Sequence, residues 1–338
     1  MLKEALRQAK SIAIVGLEKN TGKTTVLNHL LDVIGEERTL FLTSIGYDGE
    51  SVDQVTGTHK PRIFVSAGTL IATARSVLPR CTVDKEILQT TGLATAMGEV
   101  ILFRALDDGY VELAGPSAIA DMKKLVEAVR RDYEVLPLID GALSRLSSAG
   151  HGLADEVILC TGASVDASFQ RVMDKTLMTA AQLSFPKASQ DVDFSQADAW
   201  LLGEEAVAFP AAQTSKHISL ISRILKAWQA EPVLALKGLL SEAMVRELLQ
   251  WKEFRGRTVI LEDATRLMVT PATFQKLKQR HITFEVLQPV RLLCIALNPT
   301  SPRGRLFDEV RAREILEVSG IPVLNVRRER DEFKRQST

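Results

Sequence analysis

Residues 16–25 have the sequence G-L-E-K-N-T-G-K-T-T, which combines the residue types that bind a phosphate group. The apolar run S-I-A-I-V-G at 11–16 precedes this segment, and residues 24–34 carry apolar side chains at helical spacing. We therefore predict a strand, a loop and a helix in that order. The free N–H groups and partial positive charge at the start of a helix attract an anion, and a loop wrapped around a phosphate adds further N–H groups. The pattern predicts a phosphate-binding loop for a nucleotide.

The side chains of this loop have distinct expected roles. Gly22 lets the backbone approach a phosphate closely, Lys23 reaches the outer phosphates and assists catalysis, and the Thr24 hydroxyl binds Mg²⁺. The other residues expected to bind the nucleotide are Gly16, Lys19, Asn20, Thr21 and Thr25. The alternative is that Lys23 is a solvated lysine on an ordinary turn between a strand and a helix.

Carboxylates elsewhere in the chain complete the expected site. Asp140 ends the apolar run V-L-P-L-I-D, and an acid at the carboxyl end of a buried parallel strand lies where α/β sheets bind ligands. We expect Asp140 to bind Mg²⁺ and to act in catalysis, or else to cap the next turn. Glu112 is the second catalytic candidate, with a plain hairpin position as its alternative. Asp48 and Asp53 are expected to face the γ-phosphate or a second substrate, with Asp48 also a metal ligand, or else to be exposed loop acids.

Apolar runs alternate with helical patterns along the chain, which predicts an α/β fold with a mainly parallel sheet covered by helices. We expect a P-loop NTPase domain over residues 1–185 and, after a polar stretch, a second, smaller α/β domain over 199–338. In the first domain, Asp108-Gly109 between two apolar runs predicts a β-hairpin. In the second, the predicted strands include 233–236, 258–261 and 292–297.

Composition narrows the class of protein. The 338 residues contain 42 acidic and 42 basic side chains, so no global charge attracts nucleic acid or a membrane surface. The three cysteines stand far apart, which favours reduced thiols in a cytoplasmic protein over disulfides or a zinc site. No apolar run approaches the roughly 20 residues that a membrane span needs. The oligomeric state is left open.

The spacing of the loop glycines indicates a branch of P-loop proteins. Five residues separate Gly16 from Gly22, and Leu17 stands where G-x-x-x-x-G-K-[ST] has its first glycine. The loop resembles that of dethiobiotin synthetase, G-T-D-T-x-V-G-K-T, in the branch that also holds the MinD and ParA ATPases. Glu18 occupies the place of the MinD signature lysine and Lys19 lies one residue later, so the pattern does not predict a lysine reaching across a dimer. The chain lacks an N-K-x-D guanine motif, which favours ATP over GTP.

Several further segments, in this order, resemble one family over nearly the whole chain. They are T-S-I-G-Y-D-G-E, T-G-T-H-K-P-R-I-F-V, E-L-A-G-P-S at 112–117, I-D-G-A-L-S-R, L-E-D-A-T-R at 261–266 and N-P-T-S-P-R-G at 298–304. Together with the loop they resemble the P-loop subunit of the lysine 5,6-aminomutase reactivase. The resemblance implies an Mg²⁺-dependent ATPase that opens an adenosylcobalamin-dependent aminomutase so that intact cofactor can enter. An aminomutase or a second reactivase subunit would be its partner, facing the second domain and the segment at 298–304.

Two other functions stay open from the residues alone. One is a kinase or an ATP-dependent ligase of the dethiobiotin synthetase type, with a substrate near Asp48 and Asp53. The other is a nucleotide-binding scaffold that barely hydrolyses. The sequence contains no D-x-H-x-x-G motif for cobalamin.

Overall fold

A computed structural model describes residues 2–47, 62–142, 154–209, 224, 226–228, 233–302 and 304–328. The chain forms two compact units, the first from Met1–Thr176 with Val290–Thr338 and the second from Leu177–Pro289. In the described parts of the chain, no helix combines the length and the apolar character that a membrane span requires.

The elements follow one another in an alternating pattern. The strands are β1 (Ile12–Gly16), β2 (Leu40–Ser44), β3 (Ile63–Val65), β4 (Leu70–Ala74), β5 (Lys85–Thr95), β6 (Gly98–Ala105), β7 (Gly109–Val111), β8 (Leu136–Ala142), β9 (Glu156–Gly162), β10 (Ala199–Leu202), β11 (Val207–Phe209), β12 (Val233–Leu236), β13 (Leu240–Ser241), β14 (Thr258–Leu261), β15 (Leu267–Met268), β16 (Thr283–Val286), β17 (Arg291–Asn298) and β18 (Val323–Leu324). The α-helices are α1 (Leu2–Gln8), α2 (Lys23–Ile34), α3 (Ile119–Asp132), α4 (Phe169–Leu183), α5 (Glu242–Leu248), α6 (Pro271–Gln279) and α7 (Glu309–Glu317).

The first unit contains a nine-stranded sheet in the order β18-β17-β9-β1-β8-β2-β4-β6-β5. The strands from β18 to β4 run parallel, and β6 and β5 add an antiparallel edge. The expectation of an α/β fold with a mainly parallel sheet is therefore confirmed. The central position of β1, between β8 and β9, sets the loop that follows it at the middle of the sheet's carboxyl edge.

Helix α2 shows why the sequence folds this way around β1. Its buried side chains Val26, Leu27, Leu30, Leu31 and Ile34 recur at helical spacing and belong to the same core as the strand residues beneath them. Each such side chain contributes about 1.5–3 kcal/mol of burial free energy. Helix α2 packs against β1 and β8.

The hairpin predicted at Asp108-Gly109 is wrong. β6 pairs with β4 and β5, whereas β7 pairs with β3. The two aspartates between β6 and β7 bind the backbone of other segments. Asp107 accepts a hydrogen bond from the Asp84 N–H, and Asp108 accepts one from the Ala67 N–H. The chain therefore leaves the sheet at this point instead of turning back on β6.

The predicted extent of the second domain also needs correction. We expected residues 199–338 to form one domain, but β17 runs parallel to β9 and β18 pairs with β17, so both strands lie in the nine-stranded sheet. The side chains of Leu293, Cys294 and Ala296 are buried in the first unit's core. The second unit is thus an insertion within the first and does not follow it.

The second unit is a smaller α/β fold, as expected in kind. Its five-stranded sheet has the order β11-β10-β12-β14-β16, in which β12, β14 and β16 are parallel and β10 pairs antiparallel with both β12 and β11. Aromatic side chains fill much of its core, including Trp228, Phe254, Phe274 and Phe284.

Candidate functional site

The loop between β1 and α2 lies at the carboxyl edge of the central strands. Gly16 is paired with Ala142 of β8 on one side and with Cys160 of β9 on the other. The Leu17 N–H donates to the Cys160 carbonyl at 2.9 Å, which continues the β1 ladder by one residue before the chain departs. Strand, loop and helix therefore follow in the predicted order.

The amine of Lys23 folds back over the start of the loop. A Cβ added at Gly16 would lie 3.0 Å from Lys23 Nζ and 2.5 Å from Thr21 Oγ1, so only glycine leaves room for both side chains. The Thr21 hydroxyl is buried and donates to the Glu18 carbonyl at 3.0 Å. Lys23 itself is half-buried, whereas Lys19 is exposed. The positively charged amine of Lys23 therefore lies close to the backbone at the start of the loop.

The start of α2 has neither a capping side chain nor an acidic one. Gly22 precedes the helix with a φ of 96°, a left-handed conformation that favours glycine. Glycine supplies no capping side chain, and the first turn of this fully described helix contains no acid. The free N–H groups of that turn, where the half-buried Thr24 and Thr25 lie, therefore keep their partial positive charge.

Asp140 lies on the strand next to β1. It is paired with Ile14 of β1 and with Ser44 of β2, and it is half-buried. Because these strands are parallel, its end of β8 and the loop after β1 share one edge of the sheet. The structure therefore brings Asp140 to the side of the sheet where Lys23 and Thr24 lie.

Two opposite charges near the loop, on Lys23 and Asp140, affect the pKa of the Cys160 thiol. Burial raises its pKa to about 12, the positive charge of Lys23 acts to lower that pKa, and the negative charge of Asp140 acts to raise it. Both charged groups thus act on one buried atom of β9, on the other side of β1 from Asp140. The site is electrostatically mixed, with a cation at the loop and an acid beside it.

Glu112 is engaged elsewhere. Its carboxylate accepts hydrogen bonds from the Tyr47 hydroxyl at 2.8 Å and from Arg80 at 3.1 Å, and Arg80 also donates to the Tyr47 hydroxyl. Burial is the main cause that raises the pKa of Tyr47, followed by Glu112, while Arg80 lowers it. In the described contacts Glu112 is held in this three-residue cluster and touches no residue of the loop.

The expected metal ligands are described only in part. Thr24 and Asp140 lie at the same edge of the sheet, whereas Asp48 and Asp53 fall outside the described residues. Among the residues that the structure describes, no three His, Cys, Asp or Glu side chains are placed to hold a metal ion together.

Two residues at the loop were not predicted as part of the site. Ser164 Oγ and Asn298 Nδ2 both donate to the Asn20 carbonyl, at 3.1 and 3.2 Å. Ser164 follows β9 by two residues, and Asn298 ends β17 within the segment expected to face a partner. The available signal was that each is a polar residue at the carboxyl end of a strand.

Comparison of the chain with protein-family models, with curated proteins and with solved structures finds no match in any of the three.

Proposed function

We propose that the protein binds ATP with Mg²⁺ at residues 16–25 and hydrolyses it, as a P-loop NTPase. The observation that carries the proposal is the position of Lys23 Nζ over Gly16, beside a helix start that has neither a side-chain cap nor an acid. A triphosphate would be bound by backbone N–H groups and by the lysine charge together. The absence of N-K-x-D from the sequence supports ATP as the nucleotide.

The residues divide the work in the following way. Gly22 admits the phosphates to the backbone, and Lys23 balances the charge that develops on the outer phosphates during transfer. Thr24 and Asp140 would hold Mg²⁺, which neutralises phosphate charge when it is bound. Because Glu112 is paired with Arg80, we give the acid role to Asp140 and not to Glu112.

We further propose that hydrolysis serves to reactivate an adenosylcobalamin-dependent aminomutase of the lysine or ornithine type. This part rests on the resemblance of the loop and of the segments at 43–50, 56–65, 112–117, 139–145, 261–266 and 298–304 to the reactivase family. Nucleotide would act by favouring one of two conformations, and it can shift that balance only by its difference in affinity for them. The partner is the aminomutase or a second reactivase subunit.

Nucleotide titration tests the first proposal. We expect Lys23→Ala to weaken ATP binding by about tenfold or more, since a charge-assisted contact contributes roughly 1.5–3 kcal/mol. Lys10→Ala is the matched control, because it removes the same charge from an exposed lysine at the opposite end of β1. Equal affinity of wild type and Lys23→Ala would show that the loop is not the site.

An activity assay tests the second. An aminomutase carrying damaged cobalamin should regain turnover when this protein, ATP, Mg²⁺ and fresh adenosylcobalamin are added together, and the Lys23→Ala variant should not restore it. Hydrolysis that instead requires a small metabolite, with no effect on the aminomutase, would establish a kinase or ligase of the dethiobiotin synthetase type.

A further inference from the structure

Side chains from two distant segments converge on one backbone atom of the loop. The Asn20 carbonyl accepts a hydrogen bond from Ser164, which follows β9, and another from Asn298, which ends β17. Asn20 has a φ of 60°, in the left-handed region that residues other than glycine seldom adopt. Asparagine is among the residues other than glycine that adopt this region most readily, and the two hydrogen bonds fix where its carbonyl points.

Asn298 is itself fixed in one orientation. Its Oδ1 accepts hydrogen bonds from the Thr300 N–H at 3.2 Å and from the Thr300 hydroxyl at 2.9 Å, so the NH₂ end of the amide faces Asn20. Its backbone carbonyl accepts from the Ala163 N–H at 3.0 Å. Asn298 therefore has little freedom to turn away from the loop.

Gly162 admits Asn298 to this position, and Gly22 lies on its other side. A Cβ added at Gly162 would lie 1.9 Å from the Asn298 carbonyl oxygen, a distance that no side chain tolerates. A Cβ at Gly22 would lie 3.6 Å from the Asn298 Cβ, which is van der Waals contact. The end of β17 is thus packed between the loop and the end of β9.

We propose that Asn298 and Ser164 are positioning residues that hold the loop in the conformation that binds a polyphosphate. In a trans peptide the carbonyl and the N–H point in opposite directions, so fixing the Asn20 carbonyl toward Asn298 and Ser164 directs the Thr21 N–H away from them. A carbonyl oxygen turned into the loop would instead repel a phosphate. The inference rests on the proposed nucleotide binding and assigns the start of the N-P-T-S-P-R-G segment to the loop.

The test uses Asn298→Asp, which keeps the oxygen that Thr300 binds and replaces the donor by an oxygen that repels the Asn20 carbonyl. We expect the affinities for ATP and for inorganic tripolyphosphate to fall by the same factor, about tenfold or more. Ser164→Ala should weaken both about threefold. Asn325→Ala is the control, because Asn325 lies in the same C-terminal segment and donates to Glu309.

Tripolyphosphate separates the loop from the rest of the nucleotide. A loss confined to ATP would mean that Asn298 contacts the base or ribose and would overturn the proposal, as would unchanged affinity for both ligands. If Asn298→Asp fails to fold, Ser164→Ala supplies the same comparison.

Hydrogen exchange without ligand provides a second readout. Amides in the peptide that covers residues 17–25 should exchange faster in Asn298→Asp than in wild type, and unchanged exchange would overturn the proposed hold on the loop. If wild type binds neither ATP nor tripolyphosphate, the proposed function fails, whereas the exchange result still decides whether these side chains hold the loop.

Discussion

Replacing Gly16 by alanine should strain the loop without straining the backbone. Gly16 lies in β1 and does not have a positive φ, so alanine can adopt its conformation. The new Cβ would lie 2.5 Å from Thr21 Oγ1, and the threonine side chain would have to move. Thr21 is 2% exposed and its hydroxyl donates to the Glu18 carbonyl, so displacement leaves buried polar groups unsatisfied. We expect a loss of about 1–3 kcal/mol in the free energy of unfolding.

A double-mutant cycle isolates this contact. Thr21→Ala alone loses the hydrogen bond and costs about 1 kcal/mol. In the double variant no Oγ remains to meet the alanine at position 16, so Gly16→Ala should add a smaller further cost, set by the Lys23 amine at 3.0 Å and the Glu18 carbonyl oxygen at 3.1 Å. The two losses should therefore fall short of additivity by about 1–2 kcal/mol. Additivity to within about 0.5 kcal/mol would refute the reasoning.

The measurement is urea unfolding followed by far-UV circular dichroism. The tryptophans, Trp200, Trp228 and Trp251, all lie in the second unit, so their fluorescence gives an internal reference for the part of the chain that was not changed. Gly68→Ala is the control, since its φ is 89° and no atom lies within 4 Å of an added Cβ. It should cost about 1–2 kcal/mol through the backbone alone, with no coupling to Thr21.

Three further substitutions test the two candidate acids and the arginine that pairs with one of them. Asp140→Asn should reduce Mg²⁺-dependent phosphate release by about tenfold or more while ATP binding changes less, and hydrolysis equal to wild type would remove Asp140 from the site. Glu112→Gln should lower the pKa of Tyr47, because the Glu112 hydrogen bond and charge raise it, whereas Arg80→Met should raise it further by removing a lowering charge. Ultraviolet titration in a variant whose other two tyrosines are phenylalanine would show both shifts, and shifts in the reverse directions would contradict the described cluster.

The local part of the site could be predicted from the sequence. The order of β1, loop and α2 depends on residues within about two dozen positions of one another, and the apolar periods of 11–16 and 24–34 identify it. Asp140 could be placed as well, because a polar residue that ends an apolar run marks the carboxyl end of a strand. These features follow from chain-neighbour patterns.

The distant contacts could not be predicted in this way. The apolar run of β17 shows that a buried strand exists but not which sheet it joins. This strand pairs with β9, although the sequence of the second unit, Leu177–Pro289, separates the two. Glu112 has a partner, Arg80, 32 residues away, and Asn298 contacts Asn20 at a separation of 278 residues. Each of these contacts forms only in the completed fold. The spacing of apolar residues along the chain does not predict which distant segments meet.

The insertion of the second unit also sets an order of events during synthesis. β1, β8 and β9 emerge from the ribosome early, but the partner strand β17 follows only after all of Leu177–Pro289 has been made. Because domains generally fold as units while the chain is being made, we expect the inserted unit to fold before the first sheet is complete. Asn298 would then reach Asn20 near the end of translation. A chain that stops before β17 would contain all of residues 16–25 but not the Asn298 side chain that holds this loop.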